Sequence, residues 1–363
     1  MMKDNKLIIL TAGGTGGHVY PADALANELI NRGFEVMLFT DSRGLNNYKG
    51  KLGEIENKAI FSGSVVGKSV ATKIMSLMKV GIGVLQAGYY LLKRRPRCVV
   101  GFGGYASFPT AIAAVILRVP LVIHEQNSVM SHTNRILARF ATFVAQSFRN
   151  VKNTPTRVKT ILSGMPVRQA ITDLYQKKYS EPDSKEKINL VILGGSQGAK
   201  VFAEVVPQAL KLLDKTLQKR LSVYQQCRKG EEEKVLQQYQ ELDIQPVVRS
   251  FFENMPELYA KTHLMISRAG ASSVYEIAAA GVPSILVPLP TAADNHQYFN
   301  AEEFSDVGAS VLMKQDEFTA ERLAEILRHY FEQPQTLKKM SDCAKKHAII
   351  DAAARLAEAI LKL

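Results

Sequence analysis

Apolar and polar positions follow a repeating order along this chain: a short apolar run, a glycine loop, then a stretch with helical spacing. The runs Leu7–Thr11, Glu35–Thr40, Cys98–Phe102 and Leu121–His124 predict strands. They are short and nearly continuous in hydrophobicity, as strands buried on both faces are. Helices are predicted over Pro21–Asn31, ending near Gly33, and over Thr110–Leu117. After Gly164-Met-Pro-Val-Arg168 the pattern restarts. A polar, lysine-rich stretch (Gln176–Lys187) leads to strands at Asn189–Leu193, Ser222–Gln226, Pro246–Arg249, His263–Ser267 and Ser284–Val287, with a helix at Ser273–Ala280. Alternating βαβ units predict mostly parallel sheets.

The halves echo each other. Leu7-Ile-Ile-Leu-Thr-Ala-Gly-Gly-Thr-Gly-Gly-His18 and Leu190-Val-Ile-Leu-Gly-Gly-Ser-Gln-Gly-Ala199 share one plan, which sets backbone N–H groups at a helix N-terminus where they can hold an anion. Phe102-Gly-Gly, then a helix and Val119-Pro120, is matched by Arg268-Ala-Gly, a helix and Val282-Pro283. Two similar α/β domains facing one cleft are therefore expected, 1–163 and 164–347. The tail Asp351–Leu363 reads as a docked helix.

Composition narrows the classes. A chain of 363 residues, 46 % hydrophobic and 22 % charged, suits two ordinary globular cores. Cys98, Cys227 and Cys343 stand in no metal spacing and fit a reducing compartment. The first residues do not read as a signal peptide, and no unbroken apolar run reaches 18, so no bilayer span is expected. Charge is one-sided. Residues 1–163 carry 21 Lys+Arg against 8 Asp+Glu, and no acid occurs between Glu56 and Glu125. That stretch holds Lys58, Lys68, Lys73, Lys79, Lys93–Arg95, Arg97 and Arg118, and within it Lys68, Lys73, Lys79 and Lys93–Arg95 interleave with Met75, Leu77, Met78, Val80, Ile82, Val84, Leu85, Tyr89, Tyr90 and Leu91. This reads either as an interfacial surface beside an anionic phospholipid leaflet or as a buried helix face with a basic rim.

The glycine loops are not dinucleotide fingerprints. The third glycine would fall at Val19, and no ribose-binding acid ends the second strand. Gly63-Ser-Val-Val-Gly-Lys-Ser69 misses the P-loop by one residue. No HExxH, CxxC or paired Asp-x-Asp occurs, so a metal clamp has no obvious ligands and no cofactor is implied. His18, straight after the first loop, reads as a general base or as a capping or packing histidine. His124-Glu-Gln-Asn127 puts polar groups at the same sheet edge. Glu276 can complement a helix dipole or accept ribose hydroxyls.

In this order, Gly13–His18, Gly101-Phe-Gly-Gly-Tyr105, His124–Asn127, Gly194–Ala199, Arg268–Glu276 and Asp294-Asn-His-Gln297 resemble the MurG family of peptidoglycan N-acetylglucosaminyltransferases, glycosyltransferase family 28. The resemblance spans nearly the whole chain. It implies a GT-B fold, two Rossmann-like domains with the active site in the interdomain cleft and the tail helix crossing back to the first domain. It implies transfer of N-acetylglucosamine from UDP-N-acetylglucosamine to lipid I, giving lipid II with inversion, by a peripheral protein on the cytoplasmic face of the inner membrane. By position, Thr15, Gly16, Gly17 and Asn127 would contact the donor, and Arg168 and Ser196 its diphosphate. Phe252 would offer a backbone group to uracil. Ala271, Ser272, Ser273, Val274 and Tyr275 would surround the nucleoside, with Glu276 on the ribose and Gln297 on the sugar. His18 would be the base. Met165 departs from the family's Asn. A UDP-N-acetylglucosamine epimerase of the same fold is the rival enzyme. Charge alone suggests nucleic acid, but no aromatic stacking array supports it, so no nucleic-acid partner is expected.

Overall fold

A computed structural model describes residues 5–13, 16–42, 50–63, 70–183, 186–195 and 198–363. Thr15, Lys68, Ser196 and most of Gly63–Ser69 lie outside them. The chain divides into two compact units, 1–168 with 349–363, and 169–348.

In the first unit, seven strands form one parallel sheet: β1 (Leu7–Thr11), β2 (Glu35–Thr40), β3 (Asn57–Ala59), β4 (Cys98–Gly101), β5 (Leu121–Glu125), β6 (Phe143–Gln146) and β7 (Thr160–Leu162). Their order is β3-β2-β1-β4-β5-β6-β7. The second unit repeats it with β8 (Ile188–Leu193), β9 (Leu221–Gln226), β10 (Val247–Arg249), β11 (Leu264–Ser267), β12 (Ser284–Leu286) and β13 (Val311–Leu312), ordered β10-β9-β8-β11-β12-β13. In both, the first strand lies beside the fourth. The strand order therefore reverses at β1/β4 and at β8/β11, and open α/β sheets bind ligands outside the carboxyl ends of strands at such a point. The internal echo maps onto equivalent units, β4–helix–β5 and β11–helix–β12.

The cores follow from the sequence pattern. β1 is buried along its length, with Ile8 and Leu10 on one face and Ile9 on the other in separate clusters. The tail helix Ala352–Leu361 adds Leu356, Ala357 and Ile360 to the first of these, against Ala22, Leu25 and Leu29 of the helix Gly16–Asn31. Burying such a Leu or Ile side chain stabilises the fold by about 1.5–3 kcal/mol.

Some boundaries differ from expectation. The first helix begins at Gly16, not Pro21, so His18 lies in its first turn. The proline ring clashes with the carbonyl four residues back, which is that of Gly17, still in the first turn where the backbone can give way. A further difference concerns the membrane. The helix Val70–Arg94 contains one stretch, Ile74–Arg94, long and apolar enough to cross a bilayer by length and composition, with mean hydropathy 1.2. Lys79, Gln86 and several glycines interrupt its apolar run and hid it from a search for unbroken hydrophobicity. This helix is docked, not isolated. Ala87 and Leu91, with Val84 and Tyr90, join the core under the helix Ser107–Ile116. Gly83 lets it come close: a Cβ there would fall 1.9 Å from the Phe61 carbonyl oxygen. Gln86 Nε2 donates to the Ala59 carbonyl at 2.7 Å, and its Oε1 accepts from Phe61 N at 3.1 Å. Ile74, Met75, Leu77, Met78, Ile82, Leu85, Tyr89 and Leu92 remain exposed.

Candidate functional site

The carboxyl ends of β1, β4 and β5 bring three segments together. His18 comes from the helix after β1, Gly103 follows β4, and Gln126 follows β5. Gly103 sits at φ +87°, a left-handed conformation that L side chains rarely adopt, and a Cβ there would stand 3.2 Å from His18 Cε1 and 3.4 Å from its Nδ1. His18 Nδ1 is buried with no partner in hydrogen-bond geometry. Burial lowers the His18 pKa below 6.5, opposed in part by the nearby Gln126 side chain and Phe102 carbonyl. The imidazole is thus neutral near pH 7, the form that accepts a proton.

Gln126 and His124 back this histidine. The Gln126 amide nitrogen donates to the carbonyls of Phe102 at 2.8 Å and His124 at 3.0 Å, and lies 3.2 Å from His124 Nδ1. His124 is fully buried, with Nε2 3.2 Å from the Gly164 carbonyl and 3.5 Å from Ser147 Oγ. Burial pushes its pKa down to about 4, the Gly164 carbonyl opposing and His18 assisting. Glu125 braces the loop that follows. Its carboxylate accepts from Asn127 N at 3.0 Å, Ser131 N at 3.0 Å and Asn134 Nδ2 at 2.7 Å, while burial raises its pKa. Gly16 and Gly17 are exposed at the helix start, and Asn127 is half-buried. The Arg168 guanidinium lies over the Tyr20 ring, 4.7 Å from its centroid. Met165 is fully buried, and Ser147 Oγ reaches its sulfur at 3.8 Å. A cavity of about 470 Å³ in the same unit is lined by Asp41, Phe61, Ser76, Lys79 and Tyr105 among others.

In the second unit the loop after β8 and the helix Ala271–Ala280 after β11 occupy the matching positions. Gln226 Oε1 accepts from Gly194 N at 3.0 Å and so holds the loop against β9. The helix is preceded by Gly270, which offers its first turn no side-chain cap. Ser272 and Ser273 are half-buried, whereas Ala271, Val274 and Tyr275 are buried, with Tyr275 edge-on to Phe304 at 5.4 Å. Val274 and Tyr275 therefore spend their side chains on packing. Glu276 is 8 % exposed and takes the Tyr259 hydroxyl at 3.1 Å. Gln297 Oε1 accepts from Leu289 N at 3.0 Å, and Phe252 is buried. Arg268 donates to the Val287 and Pro288 carbonyls, both at 3.1 Å, and to Gln315 Oε1 at 2.6 Å, and burial lowers its pKa.

Gln126, Glu125, Gly103 and Arg268 were visible inside sequence motifs but not singled out. Only strand order shows that Gln126 and Gly103 meet His18. Among the described residues no group of His, Cys, Asp and Glu gathers to hold a metal ion.

Two parallel sheets of like strand order, each with a glycine loop at its point of reversal, define the GT-B class of glycosyltransferase fold. Comparison with known proteins narrows this. Residues 8–146 match the glycosyltransferase family 28 N-terminal domain and residues 189–356 its C-terminal domain. The chain belongs to glycosyltransferase family 28. It is 45 % identical over 354 residues to a protein of Rhodospirillum rubrum, covering 97 % of this chain and 91 % of that one. A Paramagnetospirillum magneticum protein is 42 % identical over 365 residues, covering 100 % and 98 %. Both bear the name UDP-N-acetylglucosamine–N-acetylmuramyl-(pentapeptide) pyrophosphoryl-undecaprenol N-acetylglucosamine transferase. The crystal structure of Acinetobacter baumannii MurG superposes with a TM-score of 0.78 at 30 % identity, covering 98 % of this chain and 99 % of that one. A Neisseria meningitidis UDP-GlcNAc 2-epimerase shares the fold, with a TM-score of 0.72 at 15 % identity over 98 % of this chain and 100 % of that one.

Proposed function

We propose that this chain transfers N-acetylglucosamine from UDP-N-acetylglucosamine to the C4 hydroxyl of the muramyl sugar in lipid I, forming lipid II with inversion at the anomeric carbon. The observation that carries the reading is the place of His18, half-buried in the first turn of a helix at the β1/β4 reversal, where burial lowers its pKa. His18 Nε2 takes the C4 hydroxyl proton as the oxygen attacks the anomeric carbon, the glycosidic bond to phosphate breaks, and UDP departs with the electron pair. Such a base contributes about 10²–10⁴-fold. Thr15, Gly16, Gly17 and Asn127 contact the donor, and Gln297 its sugar. Arg168 and Ser196 meet the diphosphate, where preorganised donors stabilise the leaving charge. Phe252 offers its backbone to uracil, and residues 271–276 surround the nucleoside with Glu276 on the ribose hydroxyls.

The first domain takes the acceptor and faces an anionic bilayer as a peripheral surface on the cytoplasmic side of the inner membrane. The exposed apolar residues of Val70–Arg94, with Lys79 and Lys93 beside them, support this. Each basic residue near such a surface adds about 1 kcal/mol. The test is incubation of the purified chain with labelled UDP-N-acetylglucosamine, with and without a lipid I analogue. Labelled lipid II formed only with the acceptor supports the reading. Conversion of the nucleotide sugar alone would replace it with the epimerase reading.

A further inference from the structure

Hydrogen-bond chemistry fixes which way the Gln126 side chain faces. Its amide nitrogen lies against two backbone carbonyls, of Phe102 at 2.8 Å and His124 at 3.0 Å. Turning the amide over would press oxygen against both, so the donor end is held there. The same nitrogen lies 3.2 Å from His124 Nδ1, where a protonated ring nitrogen would set N–H against N–H, so Nδ1 is the unprotonated nitrogen and shares with the His124 carbonyl one of the amide's two hydrogens. His124 Nε2 therefore carries the hydrogen and donates to the Gly164 carbonyl at 3.2 Å. Both nitrogens of His124 are thus accounted for in one tautomer, and its burial keeps it neutral.

With its nitrogen committed, Gln126 turns its oxygen to the other side. There Oε1 and His18 Nδ1 both border the space over Gly103, at 3.8 and 3.4 Å from the point where a Cβ would stand. His18 Nδ1 is buried and has no partner in hydrogen-bond geometry, with the Gln126 side chain and the Phe102 carbonyl both near it. A buried ring nitrogen in this state carries a desolvation cost unless a neighbour closes on it. Catalytic hydrogen bonds often stand loose in an unliganded site and tighten when substrate binds.

We propose that Gln126 is a positioning residue that sets the tautomer of His18, its Oε1 accepting a hydrogen bond from Nδ1–H so that the Nε2 lone pair is left for the acceptor hydroxyl. The chain of donors runs from His18 Nδ1–H to Gln126 Oε1, from Gln126 Nε2–H to His124 Nδ1, and from His124 Nε2–H to the Gly164 carbonyl. The Phe102 and His124 carbonyls, by holding the Gln126 amide nitrogen, thus dictate through its oxygen which nitrogen of His18 is basic. No proton needs to travel along this chain. The role in catalysis rests on the reading of His18 as the base, whereas the tautomer assignment does not.

The two are separated by one set of measurements on the full chain. Histidine-selective ¹⁵N labelling and two-bond ¹H–¹⁵N spectra at neutral pH report each ring's tautomer, with the His18→Gln spectrum identifying the His18 signals. The expected result is Nδ1–H for His18 and Nε2–H for His124. Nε2–H at His18 in the native chain overturns the proposal and needs no variant to fold. In Gln126→Met, His18 shifts toward Nε2–H and kcat falls about 10–100-fold, the loss seen when the partner that orients a metal-bound imidazole is removed, with KM for UDP-N-acetylglucosamine unchanged. If neither tautomer nor kcat changes, Gln126 is not the positioning group. If the tautomer changes and kcat does not, the positioning stands and His18 is not the base.

Discussion

The Gly103 backbone approaches the ring of His18 so closely that a Cβ would stand 3.2 Å from Cε1, and the ring would have to give by a few tenths of an ångström. Gly103→Ala is expected to be doubly unfavourable. The left-handed backbone at φ +87° costs a non-glycine residue about 1–2 kcal/mol, and the methyl pushes the imidazole from its place. Urea unfolding should register the first effect and kcat the second, with donor affinity held. A variant of native kcat would mean that the ring tolerates displacement.

His18→Ala should lower kcat by about 10²–10⁴-fold, the span of general base catalysis, while UDP-N-acetylglucosamine still binds. Because burial lowers the His18 pKa, the ring stays neutral to more acidic pH than a free histidine. The acidic limb of kcat/KM in the native chain should therefore lie below pH 6.5. A limb at or above that value, or one that survives in the alanine variant, would remove His18 from the proton transfer.

His124 ties stability to pH. Its folded pKa of about 4 lies below the ordinary 6.5, so between those values the unfolded chain binds the extra proton. The stabilisation is complete above pH 6.5 and is lost as pH falls toward 4. Each unit of difference is worth about 1.4 kcal/mol. The native chain should lose melting temperature across this window more steeply than His124→Gln, whose side chain does not titrate. Parallel slopes in the two proteins would contradict the assignment.

Leu77 and Leu85 are 67 % and 76 % exposed on the helix Val70–Arg94. Replacing both by Ser should leave the melting temperature nearly unchanged and weaken binding to anionic vesicles by at least about 10-fold, given roughly 1.5–3 kcal/mol for each leucine taken out of water. High salt should weaken the native protein's binding as well. Sedimentation with vesicles separates the two contributions, and equal partitioning of both proteins would exclude this face.

Long buried strands were legible from sequence because continuous apolar runs bounded by glycine admit few readings. β1 spans Leu7–Thr11 and β2 Glu35–Thr40, as their patterns predict. The short strands β3, β6, β7 and β13 were not, whereas β4, β10, β11 and β12, equally short, were found. Pro21 misled the helix start because a proline more often opens a helix than sits in its second turn. His18 stood out by its place after the glycines. Gln126 did not, because what matters is the direction of its amide, which two carbonyls from separate parts of the chain decide. The basic, apolar stretch carried two readings, and the structure divides it: Val84, Ala87 and Leu91 turn inward, while Leu77, Met78 and Leu85 face water.

The helix Ala352–Leu361 completes the core around Ala22, Leu25 and Leu29. Residues more than 300 positions apart therefore close one core, and the earlier segment is covered by one made long after it. During synthesis residues 1–168 must wait, without that cover, while the whole of 169–348 is translated. The second unit, contiguous in the chain, has all of its residues before the first unit has its last segment, 349–363.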